Sequence, residues 1–278
     1  MKSQKPDKAR IPPADDKKRY DAEHWSAVAE TWLRARPQRL WHVHTDKLYS
    51  GFLGSWLEDR QFDRILKTDL FDEGVGTGLF PCLASHAATV VGIDISPMIV
   101  QSAVAHHPSL RGTGADVRRL PFADQSFDVV VSNSTLDHFD DLDDVVAGLS
   151  ELHRVLKSGG RLLLTLDNLA NPIIAVRNAL PFAMLNRIGL VPYYVGATCG
   201  PSRLRNLLVQ SNFDVQAVGT LEHSPRFLTT ALAGILERHA SPAVQTRYVE
   251  WLGGWQRLAA WPLPFLTGHY ISVCATKV

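Results

Sequence analysis

The stretch Asp69 to Phe80, DLFDEGVGTGLF, sets Gly74, Gly76 and Gly78 at alternate positions behind the acids Asp69, Asp72 and Glu73. Without Cβ atoms, residues so spaced let a backbone touch a ligand and pack closely on the helix that follows. Sixteen residues after Gly78, Asp94 closes the apolar run TVVGID, where a carboxylate can accept from both hydroxyls of a ribose. The spacing departs from the dinucleotide fingerprint G-x-G-x-x-G: the third glycine comes one residue early, and Leu79 stands in the fingerprint's last place. Further on, SNSTLDHFDD offers Asp137 and His138, and LLLTLDN ends on Asp167-Asn168. These are groups that take up protons or hold cations.

The elements that must position these groups alternate. Residues 22–60 carry apolar positions at helical spacing, broken at Pro37 and at Gly51 and Gly54. A strand is expected over Ile65–Phe71, followed by the glycine turn and a helix near Leu79–His86. TVVGID is a second strand, after which Ser96-Pro97 opens a helix with a cap and a proline at its first turn. GTGADV marks a short third strand and SFDVVVSN a fourth. A helix over Leu142–Leu156 stops at KSGG, and RLLLTLD is a fifth strand. Later come a helix (Ser202–Ser211), a strand (Phe213–Gly219) and a final strand, HYISVCATK. Short, nearly all-apolar strands alternating with helices specify an α/β fold, a doubly wound and mostly parallel sheet covered on both faces. Ligands of such sheets sit beyond the carboxyl ends of the strands.

Taken in order, these motifs resemble those of the class I S-adenosylmethionine-dependent methyltransferases, in particular the small-molecule branch that includes the quinone-biosynthesis enzymes. DEGVGTG (Asp72–Gly78) resembles that family's first motif, an acid followed by x-G-x-G-x-G. Asp94 in GIDISPMIV resembles its ribose-binding acid, and Asp116 in GADVRRLPFADQSFDVVVS the acid on the adenine side. ELHRVLKSGGRLLL is similar to E-x-x-R-V-L-K-P-G-G, with Ser158 in place of proline. The resemblance covers Ile65 to Leu166. It implies a Rossmann-like sheet of seven strands with the last antiparallel, plus helical insertions. It also implies S-adenosylmethionine held by Asp72, Gly74, Gly76, Gly78, Asp94, Ile95, Met98, Asp116, Val117 and Asn133. Two features depart from the family: Lys67, Thr68 and Asp69 put polar groups in a strand that should be buried, and Glu73 stands where an apolar residue is usual. A Lys67–Asp69 pair is the simplest resolution, because a buried unpaired acid is costly.

Methyl transfer is an in-line displacement, so alignment and a dry site matter most. A base matters only where the acceptor must lose a proton. His138, Asp137 and Tyr194 are the candidate catalytic residues, with a helix cap by Asp137 or Asp140 as the alternative for the acids. Asp167-Asn168 resembles the pair of the magnesium-dependent O-methyltransferases, but Ser132-Asn133 stands where that group needs an acid at the end of the fourth strand. No metal is therefore expected. His42, His44, His106 and His107 read as packing or surface histidines. Substrate choice is assigned to residues outside the core: the N-terminal helices (21–60), the insertion 168–200, and the insertion 222–268 with two helices. Tyr193, Tyr194 and His223 are expected to face the cavity, which suits an apolar or aromatic small molecule. A non-catalytic regulatory protein that keeps the nucleotide pocket is the alternative class.

Composition narrows the rest. The 278 residues are 45% hydrophobic and 21% charged, with net charge +1, which gives no basic field for nucleic acid. Three dispersed cysteines, Cys82, Cys199 and Cys274, suggest a reducing, cytoplasmic setting. No apolar run suits a membrane span, although peripheral lipid contact is compatible with the apolar insertions. Residues 21–278 read as one domain. Residues 1–20 hold seven Lys/Arg, three Asp/Glu and three prolines with little apolar content, and read as a disordered basic tail rather than a signal peptide. Deleting residues 1–18 should leave the melting temperature and cofactor affinity nearly unchanged in thermal scans and calorimetry. A fall of many degrees would show that the tail packs on the core.

Overall fold

The computed structural model describes residues 22–35, 38–58, 60–188, 191 and 194–278. The basic segment 1–20 and Tyr193 lie outside the described residues. Two helices come first, α1 (Ala22–Ala35) and α2 (Arg39–Leu57). Contrary to expectation, α2 runs unbroken through Gly51 and Gly54, because its buried side chains, Leu53 and Leu57 among them, outweigh the weak helix propensity of two glycines. Next come β1 (Phe62–Lys67), α3 (Phe71–Val75), α4 (Phe80–Ala84), β2 (Ala87–Asp94), α5 (Pro97–His106) and β3 (Arg111–Gly114). Then β4 (Phe127–Asn133), α6 (Leu142–Val155) and β5 (Leu156–Asp167) complete the central part. The remainder holds α7 (Pro172–Ala179), α8 (Phe182–Arg187), α9 (Pro201–Gln210), β6 (Phe213–Leu221), α10 (Arg226–His239), α11 (Pro242–Gly254) and β7 (Tyr270–Lys277).

The strands form one seven-stranded sheet in the order β3-β2-β1-β4-β5-β7-β6. β1 through β5 pair in parallel, and β7 runs antiparallel to both β5 and β6. Successive side chains of a strand point to opposite faces. Accordingly Leu66, Val130 and Leu162 pack with α6 and α9, while Ile65, Val129 and Leu163 pack with α2, α4 and α5. Burial on both faces is why these strands read as continuous apolar runs. Ser96 caps α5 as expected, accepting from the Ile99 N–H. The cap of α6 is Asp141, whose Oδ1 accepts from the Asp144 N–H at 2.9 Å, rather than Asp137 or Asp140.

The first strand is shorter than the sequence suggests. Its last ladder residue is Lys67, and Phe71 already belongs to α3. The cause is a competition for backbone donors. Asp94 Oδ2 accepts from the Leu70 N–H at 3.1 Å and Asp69 Oδ1 from the Phe71 N–H at 3.0 Å, so neither donor is left for a neighbouring strand. Lys67 is buried, and its ammonium lies 2.8 Å from Glu73 Oε2 and 3.8 Å from Asp69 Oδ1. The main partner is therefore Glu73, not Asp69. Burial by itself would lower the Lys67 pKa; the charges of Glu73, Asp69 and Asp72 outweigh it and hold the ammonium above its ordinary value.

Gly78 makes room for this pair. Gly78 has φ +59°, and a Cβ there would lie 2.6 Å from the Glu73 carboxyl group. Glu73 Oε1 accepts from the Leu79 N–H at 2.8 Å. Gly74 lets α3 approach Ile99, whose side chain a Cβ would meet at 3.2 Å.

Glu73→Ala should leave Lys67 buried without its main counter-charge and cost about 3–5 kcal/mol in urea unfolding. The double variant K67M/E73L, which removes both charges, should recover most of that loss. Equal destabilisation by the single and double variants would show that the pair is not what holds this turn.

Candidate functional site

At the carboxyl ends of β1, β2 and β4 the structure encloses a cavity. Its walls bring together Asp69 and Asp72 after β1, Asp94 and Ile95 at the end of β2, and Asp116 and Val117 after β3. Asn133 and His138 come from the end of β4 and the turn beyond it. The lining is also aromatic and basic: Trp25 and Trp32 of α1, Trp41 and His42 of α2, Arg226 of α10, and Tyr270 of β7.

Several expected ligand-facing residues lie elsewhere. Gly74, Gly76 and Gly78 are absent from the lining, as is Met98, whose side chain is 37% exposed. The displacement follows from the early end of β1, which puts Thr68 and Asp69 where a glycine turn was expected. Asp137 is buried behind the wall: its Oδ2 accepts from Ser134 Oγ at 3.1 Å and from the Asp167 N–H at 2.9 Å. Burial and the charge of Asp167 raise its pKa. Tyr194 lines a separate cleft with Phe182 and Leu185; its hydroxyl donates to Asp140 at 2.8 Å. His223 is buried between the hydroxyls of Thr220 and Thr267, at 3.0 and 2.8 Å, and does not reach the cavity.

Asp94 is fixed by two backbone donors, Leu70 N–H on Oδ2 and Ser96 N–H at 2.8 Å on Oδ1. Burial pushes its pKa up to about 6, against the lowering effect of those two bonds. Asp116 is held by Arg118, with the shortest contact 2.6 Å from Nη2 to Oδ2. Asn133 Oδ1 is a buried acceptor with no hydrogen-bond partner among the described residues. An oxygen acceptor of that kind, on the wall of an acidic cavity, suits a cationic or N–H-bearing ligand group.

His42, read from the sequence as a packing or surface histidine, lines the cavity. Its Nδ1 lies 3.5 Å from Asp72 Oδ1. Burial lowers its pKa, but the hydrogen bond and charge of Asp72 and the charge of Asp46 outweigh that, and the net shift is upward. Asp46 is itself pushed up to about 7, by burial and then by the charge of Asp72. A signal was present: Trp41, His42, Thr45 and Tyr49 recur at helical spacing, and all four line the cavity. His138 is backed differently, its Nδ1 3.1 Å from the Tyr194 carbonyl oxygen and its ring against Trp25 at 4.6 Å.

Asp167 and Asn168 are committed to structure. Arg177 Nη2 lies 2.5 Å and His269 Nε2 3.4 Å from the Asp167 carboxylate. Burial would raise the Asp167 pKa; His269 and Arg177 outweigh it and hold the group below the usual carboxylate range. The Asn168 amide donates to the Phe265 and Gly268 carbonyls at 2.7 and 2.9 Å. Among the described residues no cluster of ligating side chains could hold a metal ion.

Comparison with known proteins places this geometry. Residues 71–164 match the family model described as a methyltransferase domain. A demethylmenaquinone methyltransferase of Chlorobaculum parvum is 39% identical over 90 residues, 31% of this chain and 36% of that protein. A malonyl-acyl-carrier-protein O-methyltransferase of Hahella chejuensis is 36% identical over 100 residues, 34% of this chain and 35% of that protein. The matched stretch thus spans about a third of these two relatives. Among solved structures, a phosphoethanolamine N-methyltransferase of Haemonchus contortus, in complex with phosphomonomethylethanolamine and S-adenosylhomocysteine, superposes with a TM-score of 0.53. It is 21% identical and is matched over 82% of this chain and 51% of that one. That likeness is one of fold.

Asp94→Ala should weaken binding of S-adenosylhomocysteine by about 1.5–3 kcal/mol in calorimetry, as for a hydrogen bond to a charged group. In the unaltered protein, affinity should fall as pH drops through about 6, where Asp94 takes up its proton. Unchanged affinity in the variant would move the ribose away from Asp94.

Proposed function

We propose that this chain, whose residues 71–164 match the methyltransferase-domain family model, is a class I methyltransferase that binds S-adenosylmethionine against Asp94, Ile95, Asp116, Val117 and Asn133 and methylates a small apolar or aromatic molecule. When bound, the cofactor supplies an electrophilic methyl group on a positively charged sulfur. The observation that carries the reading is the cavity itself, which joins acidic, ribose-suited strand ends to a wall of indole rings. Asp72, whose carboxyl is held down by His42 against burial, and Asp94 favour a cation beside them, and Asn133 Oδ1 offers an unused acceptor. Trp25, Trp32 and Trp41 put indole rings on the wall, an apolar lining suited to an aromatic acceptor. Alignment of acceptor and donor in such a pocket supplies the larger part of the acceleration, roughly 7–11 kcal/mol.

Where the acceptor is a hydroxyl or a protonated amine, a proton must leave. We assign its removal to His42: Nδ1–H donates to Asp72, which leaves the Nε2 lone pair as the base. His138, with Nδ1–H donating to the Tyr194 carbonyl, presents the same tautomer and serves as the second catalytic candidate. Asp137 and Tyr194 act through it. Asp137 anchors the turn that carries His138, and the Tyr194 backbone orients the ring.

The test is release of S-adenosylhomocysteine in assays with lipophilic phenols, quinols and amines. Relative to the unaltered protein, His42→Ala should lower turnover by about 10²–10⁴-fold with little change in cofactor affinity. The rate should climb with pH as His42 loses its proton, and this limb, displaced above the ordinary histidine value, should vanish in the variant. A His138→Ala variant with the larger loss and the altered pH profile would transfer the role to His138. Cofactor binding with no turnover on any acceptor would favour a regulatory, non-catalytic protein.

A further inference from the structure

Three segments outside the cofactor core meet at Thr267–Tyr270. The N-cap of α7, Asn171, donates to the Thr267 and Gly268 carbonyls at 3.2 and 3.1 Å. The first residue of α10, Arg226, reaches His269 Nε2 at 3.1 Å and the Tyr270 hydroxyl at 2.8 Å. The third segment is the loop that leads into Thr267, with its short 3₁₀ turn Pro264–Leu266. All three turn apolar side chains outward at this junction. Ile173 is 71% exposed and Val176 61% on α7; Phe227 is 60% and Leu228 65% on α10; Leu263 is 65% and Leu266 48% on the loop. On α10 the outward face continues through Leu232 and Ile235 at helical spacing, while Thr229 and Ala233 are buried behind it. This is the reverse of a surface helix in water, where the exposed stripe is polar. Outward apolar groups on three converging segments call for a cover.

The charge around this face identifies the cover. Residues 168–200, 223–236 and 251–268 contain no aspartate or glutamate, although the chain has 28 acids; they contain Arg177, Arg187, Arg226 and Arg257. Of these, Arg187 and Arg257 are exposed. Trp261, 62% exposed, lies in the same loop as Leu263. Acid-free apolar segments that also carry exposed arginines and an outward indole match the interface of an anionic phospholipid bilayer. No described helix is long and apolar enough to cross a membrane, so the contact is peripheral.

We infer that the face formed by α7, the first turns of α10 and the Trp261–Leu266 loop docks on an anionic membrane surface. The junction also carries the cavity wall, since Arg226 and Tyr270 both line it. Docking therefore presents the cavity to molecules dissolved in the bilayer. The contact itself does not depend on methyl transfer, and its test needs no turnover.

Flotation of the full-length protein with phosphatidylcholine vesicles containing phosphatidylglycerol, against phosphatidylcholine alone, reads the contact directly. The protein should float with the anionic vesicles and much less with the neutral ones. The paired substitution I173S/L228S should cut partitioning by about tenfold or more while S-adenosylhomocysteine affinity holds, which confirms the fold. Arg187→Glu with Arg257→Glu, which leaves the apolar face intact, should abolish the preference for anionic lipid. Failure to float with either vesicle, or partitioning equal to the unaltered protein in both variants, overturns the inference. A concentration-dependent dimer in light scattering that I173S/L228S dissolves, without flotation, would make this face an interface between copies and would equally overturn it.

Discussion

A lysine at the end of a central strand must find a carboxylate, and much of this site's geometry follows from that need. Lys67 is the last paired residue of β1, with strands on both sides, so its ammonium has no route to water. Desolvating a charge costs several kcal/mol, and a close partner offsets that only when its own hydrogen bonds are complete. Glu73 supplies the counter-charge, its Oε2 2.8 Å from the Lys67 ammonium and its Oε1 accepting from the Leu79 N–H. To bring Glu73 back beside Lys67, the chain must reverse within a few residues, and α3 is that reversal. Gly78 then has to be glycine, because Glu73 fills the place a side chain would take. Asp69 and Asp72, flanking the turn, are left on the cavity side.

Crowding acids around one cavity has electrostatic consequences. Asp69, Asp72, Asp94 and Asp116 all contribute to the wall, against His42 and Arg226. Each carboxylate raises the cost of ionising the next, and burial adds to it. Burial, the larger cause, and then the charge of Asp72 push Asp46 to about 7, while burial pushes Asp94 to about 6. Asp72 escapes the trend: burial raises its pKa, but His42 and then Lys67 more than compensate, and the net shift is downward. Asp72 stays ionised and keeps His42 basic. A site poised this way favours a cation and holds one histidine ready to receive a proton, which are the two demands of methyl transfer to a protic acceptor.

The segments beyond the core are fastened by buried polar contacts. Glu222 accepts from His44 at 2.6 Å and from the Ser224 N–H at 3.0 Å, tying the approach to α10 onto α2. Asn168 and Asn171 fasten the start of α7 to the loop before β7. Asp167 is consumed by Arg177 and His269 in the same region. These anchors fix where α7 and α10 begin, which lets their apolar residues face outward without loosening the helices. The groups that hold the insertions in place are thus the same groups a metal would have needed.

The alternation of apolar runs with helical stretches was enough to determine the layered sheet, because strands buried on both faces leave little choice of side chain. The cap at Ser96, the carboxylate at the end of β2 and the placing of Asp116 were equally legible, since each depends on a few neighbouring residues. The end of β1 was not. The capture of the Phe71 N–H by Asp69 is local, but the outcome also rests on Asp94, twenty-four residues away, accepting from the Leu70 N–H. The surroundings of Gly78 changed with it, since the place of its missing side chain is filled by Glu73. His42 was hidden for a similar reason: on α2 it is one polar residue among aromatics, and it gains a function only because the reversal after β1 carries Asp72 beside it. Short-range patterns of burial and capping belong to the sequence. Which charge meets which across the fold was decided by tertiary structure, because an ion pair depends on distances in space that residue spacing does not encode.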